Sequence, residues 1–338
     1  MNQAPVRWGI LGPGNIARKF FVAASDSKTG VVTALGTRNS SSSTLTGEFP
    51  GCTVHLGYET LLADPHVDAI YIATPHPFHA EWAIKAAERG KHVLCEKPMG
   101  MCEIEVSAMF TAAKSAGTFM AEAYMYRLHP LTIFILEQVK SGRIGQVRLI
   151  KSSFGFAAQD LHPKHRLIDK DLGGGAILDV GGYPISMASL IAGCGSAPRS
   201  HEGSELKAVG QFGEMGVELA SYCVVRFEND ILAELSCSIT TQQDNVLHII
   251  GSAGRLEIDN FWVGTGPRGG TATIRFFAND GEADAIAFRE EANLYSFQFE
   301  AANQAIQAGR TCFEYPGMTA TESITNATML DRWLADIR

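Results

Sequence analysis

A lysine that follows a short apolar segment is the residue of this chain best placed to do chemistry. Lys97 stands near the end of the run HVLCEKP, residues 92–98. Ligands of open α/β sheets bind beyond the carboxyl ends of the strands, so Lys97 is predicted to point into such a crevice. A cation in that position can hold a substrate hydroxyl group or lower the pKa of a neighbouring acid/base.

A glycine-rich turn near the amino terminus indicates which ligand the crevice holds. Residues 12–17 read G-P-G-N-I-A, the pattern G-x-G-x-x-A, between an apolar strand and a helix. The first glycine permits a tight turn, the second lets the backbone approach a pyrophosphate, and the small alanine permits close helix–strand packing. The helix N-terminus favours negative charge. The turn therefore predicts dinucleotide binding; the alternative is a tight turn that binds nothing.

The end of the second strand distinguishes between the two nicotinamide cofactors. NAD-binding folds place an acid there for the ribose hydroxyls, but residues 31–47 contain no Asp or Glu. Arg38 follows the strand with the polar neighbours Asn39 and Ser40, and a guanidinium suits a 2′-phosphate. NADP is therefore predicted. The alternative is a solvated arginine in a protein that binds NAD through other contacts.

Histidines add polar groups to the predicted crevice. Thr74, His76 and His79 follow the fourth strand and are predicted to contact the cofactor or substrate. His76 and His79, like His162 and His165, lack a third nitrogen or sulfur ligand at a recognisable spacing. No metal site is therefore predicted.

The run GGGAILDVGGY, residues 173–183, is the second dense motif. Asp179 and Tyr183 are four residues apart, so on a helix they share one face. An acid and a phenol on an otherwise apolar helix need hydrogen-bond partners if they are buried. From these residues alone, a structural hydrogen-bonding role is favoured over a catalytic one.

The spacing of apolar residues predicts an α/β fold in two parts. Strands and helices alternate with short connections up to about residue 125, which is typical of a doubly wound parallel sheet. Longer alternating runs follow, such as 217–227 and 231–240, and predict a large, mostly antiparallel sheet with helices. We place a Rossmann domain at 1–125 and an α+β domain for substrate binding and oligomerisation at 126–338.

Composition narrows the class of protein. The chain has 338 residues and a formal net charge of −8, which argues against nucleic acid or an anionic membrane as partner. No apolar run reaches the roughly 18 residues of a membrane span, and no leader peptide is recognisable, so a cytoplasmic protein is expected.

The seven cysteines are widely spaced and odd in number, which favours buried reduced thiols over disulfides or a zinc site.

The motifs together resemble the glucose–fructose oxidoreductase and inositol dehydrogenase (Gfo/Idh/MocA) family. That family carries G-x-G-x-x-[GA], T-P-x-x-x-H, E-K-P and G-G-G-x-L-x-D-x-G-x-[HY] in this order. The corresponding segments here are residues 12–17, 74–79, 96–98 and 173–183. The resemblance covers essentially the whole chain. It is closest to the NADP-dependent branch of dimeric dihydrodiol dehydrogenase and xylose dehydrogenases, partly because position 183 is tyrosine and not histidine.

The resemblance implies hydride transfer between a nicotinamide and a carbinol carbon of a sugar or a cyclic vicinal diol. Tyr183 would be the general acid/base, and Lys97 would lower its pKa and bind the same oxygen. Asp179 would orient the substrate hydroxyl or Lys97. The Lys97–Pro98 bond is expected to be cis, as it often is in the family.

Three sets of site residues follow from these considerations. The catalytic set is Lys97, Tyr183 and Asp179. The cofactor set is Gly12, Gly14, Asn15, Ile16, Ala17, Arg38, Thr74, His76, His79, Glu96, Lys97, Pro98 and Arg127. The substrate set is His79, Phe154, His162, Arg166 and Asp179.

Two other functions fit the same resemblance. One is a non-catalytic dinucleotide sensor, which usually loses the lysine or the acid/base that this chain keeps. The other is an oxidoreductase with a tightly held cofactor. Relatives pair through the open face of the second sheet, so a homodimer is expected.

Overall fold

The computed structural model describes residues 4–38, 42–194, 203–263, 265–266, 268–281 and 283–338. Asn39 and Ser40, expected to accompany Arg38, lie outside the described residues. The chain divides into two compact units. Unit 1 is Met1–Leu128 with Tyr295–Ser323, and unit 2 is His129–Leu294 with Ile324–Arg338. The sequence predicts one division, after residue 125, and does not predict the return of the chain to unit 1.

Strands and helices alternate through unit 1 and then give way to long strands. The strands are β1 Val6–Leu11, β2 Gly30–Thr37, β3 Thr53–Leu56, β4 Ala69–Ile72, β5 His92–Cys95, β6 Met120–Glu122, β7 Val147–Gly155, β8 Glu205–Phe212, β9 Glu218–Arg226, β10 Leu232–Ser238, β11 Leu247–Gly251, β12 Gly254–Ile258, β13 Gly270–Ala278 and β14 Ala283–Glu290. The α-helices are α1 Asn15–Ala24, α2 Ser42–Glu48, α3 Tyr58–Leu62, α4 His79–Glu88, α5 Glu103–Ala116, α6 Pro130–Lys140, α7 Gly182–Ala192, α8 Ser296–Gln307 and α9 Ala320–Asp336.

Unit 1 contains a parallel sheet in the order β3-β2-β1-β4-β5-β6. This is the doubly wound order in which the sequence of strands reverses beside β1. The carboxyl ends of β1, β4 and β5 are therefore neighbours, and the turns after them meet at one edge. The predicted Rossmann architecture is confirmed.

Helix α8 belongs to the core of unit 1 although it lies far along the chain. The Trp8 indole Nε1 donates to Asn303 Oδ1 at 2.7 Å, and both side chains are fully buried. The Phe20 ring lies 5.2 Å from the Phe299 ring and stacks on Tyr71 at 3.7 Å. These contacts bind the returning segment to β1, α1 and β4, so unit 1 is incomplete without it.

Unit 2 contains the sheet β14-β13-β12-β11-β7-β10-β9-β8. Its neighbouring strands are antiparallel except for the parallel pair β7–β10. Helix α7 packs against β7 and β10 and buries that face. The predicted mostly antiparallel sheet is therefore confirmed.

The apolar segment that precedes and includes α7 owes its composition to burial within the fold. Lys170–Ala192 is long and apolar enough to cross a membrane by composition alone, but 94% of its most apolar window is buried inside the protein. A core helix of a folded protein accounts for this composition. All seven cysteines are reduced, and Cys52, Cys95, Cys223 and Cys237 are buried.

Candidate active site

The glycine-rich turn leaves the N-terminus of α1 open. Gly12 has φ +85°, and a Cβ there would lie 3.0 Å from the Ala73 carbonyl oxygen. A Cβ at Gly14 would meet nothing within 4 Å, and no side chain caps α1. The first N–H groups of a helix lack intrahelical partners. The turn therefore offers open space and backbone donors where the pyrophosphate of a dinucleotide binds.

Thr74 gives a second indication that the edge holds a ligand. It follows β4 beside the Gly12 turn, where its backbone N is 3.2 Å from the position of a Gly12 Cβ. Its hydroxyl Oγ1 is buried without a hydrogen-bond partner among the described residues. A buried hydroxyl without a partner is costly, so Thr74 fits a cofactor contact.

Arg38 follows β2 and is held by two aromatic rings. Its guanidinium carbon lies 5.2 Å from the centre of the Tyr58 ring and 5.1 Å from that of Phe78. Cation–π contacts at this distance restrain a long side chain, and Arg38 as a whole remains exposed to solvent. The sequence indicated Arg38 but not its two aromatic neighbours, because only the fold brings α3 and the turn after β4 together.

His79 joins the turns that follow β4 and β5. Its ring nitrogens Nδ1 and Nε2 lie 2.8 Å from the carbonyl oxygens of Pro98 and Thr74, and the side chain is fully buried. Burial lowers the pKa of His79. Both ring nitrogens thus face backbone, so the structure gives His79 a place between two turns and not against a ligand. His76 is half-buried, with its ring 5.7 Å from that of His79.

Lys97 lies in the turn after β5 and is half-buried. The peptide bond between Lys97 and Pro98 is cis, as expected from the resemblance. The preceding Glu96 is buried, and its carboxylate accepts hydrogen bonds from the Tyr71 hydroxyl and from the Lys97 N–H, the latter at 3.3 Å. Burial raises the pKa of Glu96. Glu96 therefore fixes the backbone of Lys97 from inside the unit.

Arg127 is buried in unit 1 and contacts the returning segment. Its Nε donates to the Pro316 carbonyl oxygen at 2.7 Å, and its guanidinium pairs with Glu322. The side chain is 1% exposed. These bonds give Arg127 a structural role, whereas a cofactor contact was expected from the sequence.

The three consecutive glycines of unit 2 meet three local constraints. Gly173 has φ +73° and ends a short 3₁₀ turn. A Cβ at Gly174 would lie 2.8 Å from the Asp169 carbonyl oxygen. Gly175 has φ +123°, and a Cβ there would collide with Glu218 Oε1. That same carboxylate oxygen accepts the N–H of Ile177 at 3.0 Å, so Glu218 anchors the start of the next helix.

That helix begins with a wide turn. Ile177–Gly181 is π-helical and continues directly into α7. Asp179 lies in the π-helical turn and Tyr183 in the first turn of α7, whereas a regular α-helix was predicted. π-Helical turns inside helices are rare and are frequent at functional sites.

Asp179 forms an ion pair at the edge of its helix. Arg166 Nη1 lies 3.0 Å from Asp179 Oδ1. The carboxylate is 7% exposed and the guanidinium 53% exposed. Two residues predicted to contact substrate are therefore brought together. The arginine can orient the carboxylate and still present donors to a ligand.

Tyr183 is packed edge-on against two aromatic rings. Its ring centre lies 4.9 Å from that of Phe154 and 5.4 Å from that of Trp262. Trp262 Nε1 donates to the Ser153 carbonyl oxygen at 2.7 Å, which fixes the indole. His162, by contrast, is exposed, and its ring lies 5.7 Å from that of His165.

The two units thus carry complementary chemistry. Unit 1 presents a cation beside a dinucleotide turn, and unit 2 presents a phenol and a carboxylate paired with a guanidinium. Within the described segments, no three His, Cys, Asp or Glu side chains are grouped so as to hold a metal ion.

Both units match models of one known protein family. Residues 6–124 match the GFO/IDH/MocA oxidoreductase family with an NAD-binding Rossmann fold, and residues 134–257 match the GFO/IDH/MocA C-terminal domain. The resemblance inferred from the motifs is therefore confirmed.

Individual relatives cover most of the chain. D-xylose 1-dehydrogenase (NADP(+)) 2 of Haloferax volcanii is 31% identical over 96% of this chain and 95% of its own. Trans-1,2-dihydrobenzene-1,2-diol dehydrogenase of Mus musculus is 32% identical over 77% and 76%. The crystal structure of KijD10, a 3-ketoreductase from Actinomadura kijaniata in complex with NADP and TDP-benzene, superposes with a TM-score of 0.88 at 26% identity, over 99% and 98% of the two chains.

Replacement of Gly175 tests how the fold places Asp179. Gly175→Ala is expected to lower the free energy of unfolding by about 3 kcal/mol, because its φ disfavours a side chain and its Cβ displaces the Glu218 carboxylate that caps the helix. Gly216 has φ +73° with nothing within 4 Å of a Cβ. Gly216→Ala, the control, should cost only about 1 kcal/mol. Equal costs in chemical denaturation would contradict the role of Glu218.

Proposed function

Because the chain belongs to the GFO/IDH/MocA family of NAD(P)-dependent oxidoreductases, we propose that it oxidises or reduces a carbinol carbon of an aldose or a cyclic vicinal diol with NADP(H). One observation carries the proposal. Lys97 is fixed beside the dinucleotide turn of unit 1, in a chain whose unit 2 supplies Tyr183 and Asp179. Relatives named for D-xylose and for a dihydrodiol support these two substrate classes.

Tyr183 is proposed as the general acid/base. In the oxidative direction its phenolate takes the hydroxyl proton of the substrate while the hydride leaves the carbinol carbon. Bound NADP supplies the hydride acceptor at C4 of its nicotinamide. Lys97 binds the same substrate oxygen, and an ammonium group beside a phenol lowers the pKa of that phenol. The proposal requires Tyr183 and Lys97 to act on one oxygen atom.

The neighbours of Tyr183 support this assignment. Asp179 accepts a second substrate hydroxyl and is oriented by Arg166, 3.0 Å away. Phe154 and Trp262 surround the phenol with apolar surface. Aromatic walls exclude water, which strengthens electrostatic interactions inside a site, and they suit the apolar face of a sugar ring.

Arg38 is proposed to select NADP over NAD. Its guanidinium lies between the rings of Tyr58 and Phe78 at the carboxyl end of β2. No acidic residue of β2 competes for it. Arginine binds phosphate through two parallel hydrogen bonds, so this placement suits the 2′-phosphate of the adenosine. Thr74 is proposed to contact the cofactor through its buried hydroxyl.

The outer face of the sheet in unit 2 is proposed to bind a second copy of the chain, in the cytoplasm. Val209 and Tyr222 are opposite each other on β8 and β9, and Val224 follows on the same face. They are 69%, 56% and 56% exposed. The ion pairs Arg226–Glu205 and Lys151–Glu234 border the patch. Such balanced charge lets two identical faces meet without repulsion, as a twofold interface requires.

Kinetics of two variants test the catalytic assignment. We expect Tyr183→Phe and Lys97→Ala each to lower kcat for NADP+ reduction with D-xylose or a trans-dihydrodiol by at least about 100-fold, since general acid–base catalysis contributes about 10²–10⁴. Tyr222→Phe removes an exposed hydroxyl and is the control. Absorbance of the reduced nicotinamide gives the rate. Turnover at the wild-type level in either active-site variant would refute its role.

Cofactor affinity tests Arg38. Arg38→Ser should raise the Kd for NADPH at least about tenfold, the effect of losing charged hydrogen bonds worth about 1.5–3 kcal/mol. The Kd for NADH should change less than about twofold. Arg89→Ser is the control, because its guanidinium binds Glu59 on the surface. Fluorescence titration measures both constants, and an equal loss for both cofactors would contradict selection by Arg38.

Light scattering tests the homodimer. The wild-type chain is expected to have the mass of two chains, and Tyr222→Glu that of one, because burying an unpaired carboxylate is costly. Ile104→Glu places the same charge at a 75% exposed position on α5 in unit 1 and should leave the mass unchanged. A monomeric wild type would rule out the interface.

A further inference from the structure

The turn that carries Lys97 is held by two buried titratable side chains that hydride transfer does not use. We propose that Glu122 and His79 are positioning residues, which fix the backbone on the carboxyl side of Lys97 and thereby aim its ammonium group. This inference rests on the proposed role of Lys97. Neither side chain is assigned to the reacting atoms.

Glu122 holds the turn from the adjacent strand. It is the last residue of β6, opposite Cys95 at the end of β5, and is 3% exposed. Its Oε1 accepts the backbone N–H of Met99 at 3.0 Å. The bond anchors the chain two residues beyond Lys97. Removing the carboxylate would leave a buried N–H without its partner, at a cost of about 1–3 kcal/mol.

His79 holds the same turn from the first residue of α4. Its Nδ1 lies 2.8 Å from the Pro98 carbonyl oxygen, and its Nε2 lies 2.8 Å from that of Thr74. A neutral imidazole donates to one of these two oxygens, and contact with both holds the ring between the turn after β5 and the turn that follows β4. Together with Glu96, which accepts the N–H of Lys97, three buried side chains restrain three consecutive residues.

This arrangement matters because Lys97 lies outside any regular element. A loop residue has backbone freedom that must be lost when its side chain is aimed at a reacting atom. A misplacement of about 1 Å by a remote mutation can cost about 100-fold in rate. Bonds to Pro98 and Met99 restrain the residues that follow Lys97, so the restraint is in place before a ligand binds.

Glu122 also makes the turn sensitive to pH. Burial raises the pKa of Glu122 to about 7. The rise is limited by groups that favour the ionised carboxylate, which are the Met99 N–H, the Ser323 hydroxyl, Arg127 and Lys97. Cys95 of β5 also faces it. The pKa of Glu122 is higher in the folded chain than in the unfolded chain, so the protonated side chain stabilises the folded state at low pH. That contribution to the free energy of unfolding is lost as pH increases through about 7. Above that pH a carboxylate faces Lys97 and binds the Met99 N–H more strongly.

Two substitutions of Glu122 separate its hydrogen bond from its charge. Glu122→Gln keeps an acceptor for Met99, and Glu122→Ala removes it. With D-xylose and NADP+, we expect Glu122→Ala to lower kcat at least about tenfold. Glu122→Gln should stay within about threefold of wild type, and its kcat should lack the pH dependence that ionisation of Glu122 near pH 7 is expected to give the wild type. The Kd for NADPH should change less than about twofold in both.

The control is a carboxylate at the other end of the same sheet. Asp68 precedes β4 and accepts hydrogen bonds from the backbone and side chain of Arg7, at 2.9 and 2.6 Å. Asp68→Asn should lower stability without altering kcat or its pH profile. A loss of kcat in Glu122→Ala no larger than in Asp68→Asn would overturn the inference.

Hydrogen exchange supplies a readout that does not depend on the substrate. In Glu122→Ala the amide of Met99 should exchange at least about tenfold faster than in wild type, with β1 and β2 unchanged. Equal protection of Met99 would overturn the inference whatever the activity. Wild-type turnover in Lys97→Ala would instead refute the proposed function. Loss of turnover in Lys97→Ala, with wild-type kcat in Glu122→Ala and His79→Asn, would refute the positioning role alone.

Discussion

Hydrogen bonds hold a short turn at the carboxyl edge of a parallel sheet, and the direction of Lys97 depends on them. Parallel order places the turns after β1, β4 and β5 side by side. Glu96, His79 and Glu122 then bind the backbone on both sides of Lys97. A lysine on a loop is thereby given a defined direction beside the glycine-rich turn. In unit 2 the buried carboxylate of Glu218 accepts the N–H of Ile177 and so anchors the helix that carries Asp179 and Tyr183.

Much of the fold could be predicted because its signals are local. The alternation of strands and helices in unit 1 and the long alternating runs of unit 2 each follow from apolar spacing. The short elements α2 and β3 and the strands β8 and β14 were not predicted. The latter two lie at the edges of the sheet, where exposure weakens the apolar pattern. The return of α8 depends on Trp8 and Asn303, which are far apart in sequence.

The site was predicted less completely, for a related reason. Residue types and spacing indicated Gly12, Arg38 and Lys97, whose placement depends on strand ends. The spacing of residues does not distinguish a histidine that contacts a ligand from one that lies between two turns. His79 is of the second kind, because its ring lies between the carbonyl oxygens of Thr74 and Pro98. The partner of Arg127 is equally remote, since Glu322 lies in the returning segment. The π-helical turn at Ile177–Gly181 begins where Glu218 of β9 accepts the N–H of Ile177. No local sequence pattern reveals this contact, because the two residues are far apart in the chain.

A crystal structure with NADP+ and D-xylose bound tests the central claim most directly. We predict that Tyr183 Oη and Lys97 Nζ both lie within about 3.2 Å of the same sugar oxygen, on the carbon that faces C4 of the nicotinamide. Arg38 should contact the 2′-phosphate. A sugar oxygen bound by only one of the two groups, or a sugar bound away from both, would contradict the Lys97–Tyr183 mechanism.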